Sequence, residues 1–223
     1  YVVDAEPGEG IVIETVGALI QALWGNGYEA HGVLRMVVRE AGHSLRPTHI
    51  NASSQGSILI GGSTVDEETI QDAKKMRVRG MIVGSVPAGL IPQLREAGFP
   101  VIATEGIGTT PMTQAVFDLL QSLDGREASI SGDIGNRWHP TRPYIVIPMP
   151  TQVGQVIRAD APLAIGERVR ILRGTYRGRS GTIREMPARR VLLETGAHLP
   201  GATVDIGEGE PVQVPYVNLE RLF

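Results

Sequence analysis

The spacing of apolar and polar positions changes character twice along the chain. Over residues 1–56 apolar residues come in short β-branched runs: 11–13 and 33–38 read as strands, and Trp24-Gly25-Asn26-Gly27-Tyr28 carries the Asn-Gly signal of a tight reversal between aromatics. Segment 15–24 reads either way, because Val16, Leu19, Ile20 and Leu23 also fit one helix face. From residue 57 the period switches to alternating strand and helix. Short apolar runs at 58–60, 81–83 and 101–103 each end at small or polar residues. Helical stripes separate them: Val65, Ile70, Ala73 and Met76; then Leu90, Ile91, Leu94 and Ala97. A third stripe, Met112, Val116, Leu119, Leu120 and Leu123, follows Thr110 as its N-cap and Pro111 in its first turn. Such repetition predicts a parallel sheet with crossover helices. Residues 128–131 and 144–147 add two strands in a connector, and Pro148-Met149-Pro150 and Ala161-Pro162 bracket a boundary. Beyond it the period returns to two.

The expected class is therefore α/β plus all-β, in three parts: a small β-rich unit over 1–56, a three-layer parallel βαβαβα sheet over 57–150, and a β-barrel over 161–223. The first unit resembles the barrel-sandwich domains of lipoyl and biotin carriers. Those modify a lysine at a hairpin tip, and the lysines of this chain are Lys74 and Lys75. Carrier function is excluded for this unit.

The third part holds the most specific spacing in the chain. Gly166-x-x-Val169-x-Ile171-x-x-Gly174-x-Tyr176-x-Gly178-x-x-Gly181-x-Ile183 describes two alternating strands joined by a tight, exposed, glycine-punctuated loop. The segment resembles the KOW motif of Nus-type elongation factors and ribosomal proteins, and the resemblance covers about the last quarter of the chain. It implies an SH3-like barrel whose loop contacts RNA or a protein of the transcription or translation machinery. Residues 195–210, rich in glycine and acid, read as an insertion into that barrel, and 212–219 as its closing strand, with Pro215 at an edge or bulge.

Charge sharpens this picture. The whole chain has a net charge of -3. Residues 166–190 nevertheless hold eight arginines against two glutamates, whereas 191–223 hold one arginine against five acids. The basic face points to Arg168, Arg170, Arg173, Tyr176, Arg177, Arg179 and Arg184 as the residues that meet RNA or a partner, engaging about six phosphates. Trp138 and His139, between Arg137 and Arg142, suit base stacking or a domain interface.

A second candidate site lies where parallel sheets gather ligands, at the carboxyl ends of the strands. Gly61, Gly62, Ser63, Ser85, Thr104, Glu105, Gly106, Gly108 and Thr109 would meet there around a small anion. The glycines form neither a dinucleotide fingerprint nor a P-loop. Without a Gly-x-Ser-x-Gly elbow, and with no histidine between residues 50 and 138, no catalytic residue is assigned. The absence of cysteine excludes disulfides and thiolate metal sites. His31, His43 and His49 have no metal-ligand spacing, so neither a metal nor another cofactor is expected.

Tyr1 in place of a methionine suggests a fragment or processed chain. No apolar run approaches the roughly 20 residues of a membrane span. The expected protein is cytoplasmic, membrane-free and non-enzymatic, and binds RNA or a partner through its barrel. The alternatives are an assembly protein that forms a homo-oligomer or filament, and a small-anion binder or enzyme at the loop edge of the central sheet.

Overall fold

The computed structural model describes residues 2–6, 10–13, 16–136, 141–149, 162–187, 190–192, 196–207 and 209–222. The chain divides into two compact units, Tyr1–Val156 and Ile157–Phe223.

In the first unit, β1 (Val2–Glu6) and β2 (Gly10–Ile13) form an antiparallel pair. Then come β3 (Gly17–Gln21), β4 (Trp24–Gly25), β5 (Glu29–Met36), β6 (Ser57–Ile60), helix α1 (Glu67–Lys75), β7 (Gly80–Val83), α2 (Ile91–Arg95), β8 (Val101–Ala103), α3 (Gln114–Ser122), β9 (Glu127–Ser131) and β10 (Tyr144–Pro148). Strands β3 to β10 make one eight-stranded sheet in the order β3-β10-β9-β5-β6-β7-β8-β4. Its centre, β5 to β8, is parallel, and every other pairing is antiparallel.

Two expectations are corrected here. Residues 1–56 are not a separate β unit, because β5 is the fourth strand of the shared sheet and pairs with both β6 and β9. The central sheet is mixed, since β9 and β10 return antiparallel to it. The Asn26-Gly27 turn also closes no hairpin: β4 pairs with β8, and β5 pairs elsewhere. Of the described residues in segment 15–24, Gly17–Gln21 form strand β3 and Trp24 opens β4.

The two ends of the strand order are β3 and β4, which are consecutive in the chain. Only Ala22 and Leu23 separate them, so the sheet must curl until its edges meet. The Ala22 amide donates to Pro143 O at 2.8 Å beside β10, and the Leu23 amide to Ala103 O of β8 at 3.1 Å. These two bonds extend the β3–β10 and β4–β8 ladders to the point where the chain passes from one to the other.

Alternation sends the strand residues into two cores. Ile58, Ile60, Ile82 and Ile102 join Val116, Phe117 and Leu120 of α3 in one cluster. Leu59, Met81, Val83 and Val101 join Ile70 and Ala73 of α1 and Leu94 of α2 in the other. Helix α1 has Asp66 as its N-cap, whose carboxylate accepts from Thr69 N at 2.9 Å, with Glu67 and Glu68 in the first turn and Lys74 and Lys75 in the last. Helix α3 starts later than its sequence suggests. Its N-cap is Thr113 rather than Thr110, because residues 110–112 are tied down outside the helix by hydrogen bonds from Ser85 Oγ to Thr110 O and from Met112 N to Gly62 O. Leu119 leaves the expected stripe and is exposed.

In the second unit, β11 (Arg168–Ile171), β12 (Ser180–Glu185), β15 (Gly201–Asp205), β16 (Val212–Pro215) and β17 (Leu219–Arg221) form an antiparallel five-stranded sheet, with β16 and β17 outermost. A small pair, β13 (Val191–Leu192) and β14 (His198–Leu199), lies between β12 and β15 in sequence. Val169, Ile171, Ile183, Ala202, Val204, Val214 and Leu219 make the core. The acidic stretch 195–210 is thus not a plain insertion. It contributes β15, whose alternation places Ala202 and Val204 inside and Asp205 toward Arg184. Glycine and acid content hid a four-residue alternation. Pro215 ends the edge strand β16, where no ladder donor is needed. Among the described residues no helix is long and apolar enough to cross a membrane.

Candidate functional site

The hairpin β11–β12 is set by the pairs Arg168↔Thr182, Val169↔Gly181 and Arg170↔Ser180. Its turn folds on itself: Gly178 N donates to Ile171 O, Arg179 N to Tyr176 O, and Arg177 N to Gly174 O. Gly174 at φ +93° and Gly178 at +83° supply the left-handed conformations this path needs. Tyr176, 41% exposed, stands on the turn with Arg173 and Arg179, both exposed.

The seven residues expected to form a basic face separate into two sets. Arg170 is fully buried, and its Nε and Nη2 donate to Glu220 Oε2 at 2.7 and 2.6 Å. It is a structural ion pair across β11–β17, where Arg170 and Glu220 are direct partners. Arg184 is held by Asp205, with its Nη2 2.7 Å from Oδ2. That guanidinium contact, followed by the Gly207 N–H, holds the Asp205 carboxyl below its usual range. Arg221, which sequence reasoning left out, is likewise occupied, by Glu167 at 2.9 Å and by Pro162 O. Arg168, Arg173, Tyr176 and Arg179 face solvent. Arg177 is half-buried, and its Nε and Nη2 are shielded from water without a hydrogen-bond partner among the described residues. A buried guanidinium with unsatisfied donors costs about 1–3 kcal/mol.

The loop edge of the first unit brings together most of the other predicted residues and then fills the space between them. Gly62 N and Ser63 N donate to His43 O, Ser85 N to Ser63 O, Thr104 N to Val83 O, Glu105 N to Gly84 O, and Gly108 N to Val86 O. Gly61 N is taken by Ile82 O and Gly106 N by Ala103 O. A Cβ on Gly84 would run into Met112 N and one on Gly62 into Glu40 O, so these glycines serve chain-to-chain approach. Glu105, 2% exposed, accepts from Thr113 N at the start of α3. Thr109 is exposed on the covering loop. The amides that would have cradled an anion are engaged by the chain's own carbonyls.

His43 and His49 line a depression of about 700 Å³ with Arg39 and Arg46. His31 instead meets Ser129 Oγ at 3.2 Å and Glu127. Among the described residues no group of three His, Asp or Glu side chains is placed to hold a metal ion. Trp138 and His139 lie outside the described residues. No protein-family model matches the chain, nor does any curated protein or solved structure.

Proposed function

We propose that the second unit is an SH3-like barrel of the KOW type, and that it binds single-stranded RNA of the transcription or translation machinery through its β11–β12 turn. The observation that carries this reading is the β11–β12 turn, which holds the exposed Tyr176 between the exposed Arg173 and Arg179. An aromatic face offers a base a stacking surface, and planar guanidinium forks match phosphate. With Arg170 and Arg184 held by Glu220 and Asp205, and the Arg177 Nε and Nη2 shielded, the exposed arginines of the turn and its strands are Arg168, Arg173 and Arg179. Three phosphate contacts on a single strand imply a slope of log affinity against log salt of about -2, shallower than the six arginines of the sequence suggest.

The test is fluorescence anisotropy with a labelled single-stranded RNA over a salt series. Arg173→Ala with Arg179→Ala should flatten the slope by about 1.4, and Tyr176→Ala should weaken binding by about 1–3 kcal/mol while leaving the slope unchanged. Affinity independent of salt, or unaffected by the double substitution, removes the RNA reading and leaves a protein partner for the same barrel.

A further inference from the structure

The first unit has a cavity at the opposite end of the parallel strands from the loop edge. Its walls come from the residues just before β6, β7 and β8 and from the start of β5: Gln55 and Gly56, Arg77 to Arg79, Ala97 to Pro100, and Glu29 with Ala30. Its volume of about 570 Å³ falls within the size range of small-molecule pockets. Lys74 and Arg77 from the end of α1, and Arg79 from the entry to β7, put three cations around it against the single carboxylate of Glu29. All three cations are exposed. The contact found for the Lys74 ammonium is with Glu96 O at 3.2 Å, which leaves further donors on that group.

A second observation falls on the same spot. Arg77 is the one non-glycine residue with positive φ among those described, at +54°. It sits just past the C-cap of α1, Met76, where Arg77 N donates to Lys74 O and Val78 N to Ala73 O, the two bonds of a Schellman motif. Glycine fits that position without strain, and arginine does not. The backbone is held in place all the same, because Gly56 N donates to Arg77 O and Arg79 N to Ser57 O. The residue with the strained backbone thus lines the cavity that Lys74 and Arg79 also line, and strain of this kind collects at functional sites.

We propose that this cavity binds a small phosphorylated, hydroxyl-bearing molecule of the sugar-phosphate class. Lys74, Arg77 and Arg79 take the phosphate, as ammonium and guanidinium groups do wherever charge-assisted contacts can form. Glu29 sets the other end. Its carboxylate accepts from Ser131 Oγ at 2.7 Å and offers only acceptors to a ligand. It repels a second anion and favours a hydroxyl. Phe99 and Pro100 supply an apolar floor for the sugar ring. The site lies wholly within the first unit, so it stands or falls independently of the RNA reading.

Titration calorimetry of the full chain at low salt with ribose 5-phosphate, ribose and inorganic phosphate tests it. Saturable binding is expected for ribose 5-phosphate, tighter than for inorganic phosphate, with none for ribose. Lys74→Met, Arg79→Met and Arg77→Gly should each weaken it about tenfold or more, the usual worth of a charge-assisted contact. Lys75→Met should not, because Lys75 is outside the lining and is held by Asp72 at 2.7 Å. Arg77→Gly is the decisive variant, since it should raise the thermal midpoint by about 2–4 °C while losing affinity. No saturation with ribose 5-phosphate, or full binding by Arg77→Gly, overturns the site. Equal affinity for inorganic phosphate overturns the hydroxyl-recognising role of Glu29.

Discussion

Single residues in this protein settle polar accounts that no local pattern announces. Asn26 belongs to an Asn-Gly pair that reads as turn chemistry, yet its side chain spans to distant backbone: Nδ2 donates to Leu94 O and Phe99 O, and Oδ1 accepts from Val101 N. Asn26→Ala should cost about 2–3 kcal/mol, measured by denaturant unfolding, because three backbone groups lose their partner together. Arg170 was expected at the surface because it stands among other arginines, and its burial follows from Glu220 fifty residues later. Arg170→Ala should therefore destabilise the second unit by about 3–5 kcal/mol, whereas Arg170→Met with Glu220→Leu should come close to neutral. At Asp205 the depressed pKa fixes the sign of a pH effect. The pairing stabilises the fold above the unfolded carboxylate value of about 4 and is lost as pH falls through the lower folded value. An NMR titration of Asp205 should show that lowered midpoint, and Arg184→Ala should move it back up.

At the scale of elements, period and capping were legible wherever the element is amphipathic and local. The three crossover strands and the apolar faces of α1 and α2 follow directly from the spacing of their apolar residues, as do β9 and β10. Helix α3 shows the limit. Thr110 and Pro111 form a good helix start on local grounds, but hydrogen bonds to Ser85 and Gly62 hold residues 110–112 outside the helix. The same capture makes Gly84 indispensable. Gly84→Ala would press a methyl group onto Met112 N and Gly62 O, and it should lower stability by about 1–3 kcal/mol in thermal or chemical unfolding. Leu120→Ala, in the core, should cost about 2–5 kcal/mol, against little for Leu119→Ala on the solvent side. In the second unit β15 was hidden by its glycine and acid content, since alternation of only Ala202, Val204 and their neighbours is too short to outweigh composition.

For the molecule as a whole, the division at Val156 and Ile157 predicts that each unit folds when expressed alone. A dispersed amide spectrum from residues 157–223 in isolation would bear that out, and a collapsed one would show that the smaller unit needs the larger. The sequence by itself determined the composition of the parts: an α/β region, a β region with a glycine-punctuated hairpin, and a basic stretch offset by an acidic one. Those properties depend on residues close together in the chain, where side-chain period, glycine placement and charge act directly. Only the tertiary structure decided that β5 joins the central sheet, that Ala22 and Leu23 draw its two edges together, and which arginines are held by carboxylates. It also decided that the loop edge is closed by its own carbonyls and that Lys74, Arg77 and Arg79 meet around one cavity. Each of these depends on pairings between residues tens of positions apart, and partners at that range are chosen by the whole core rather than by any local spacing.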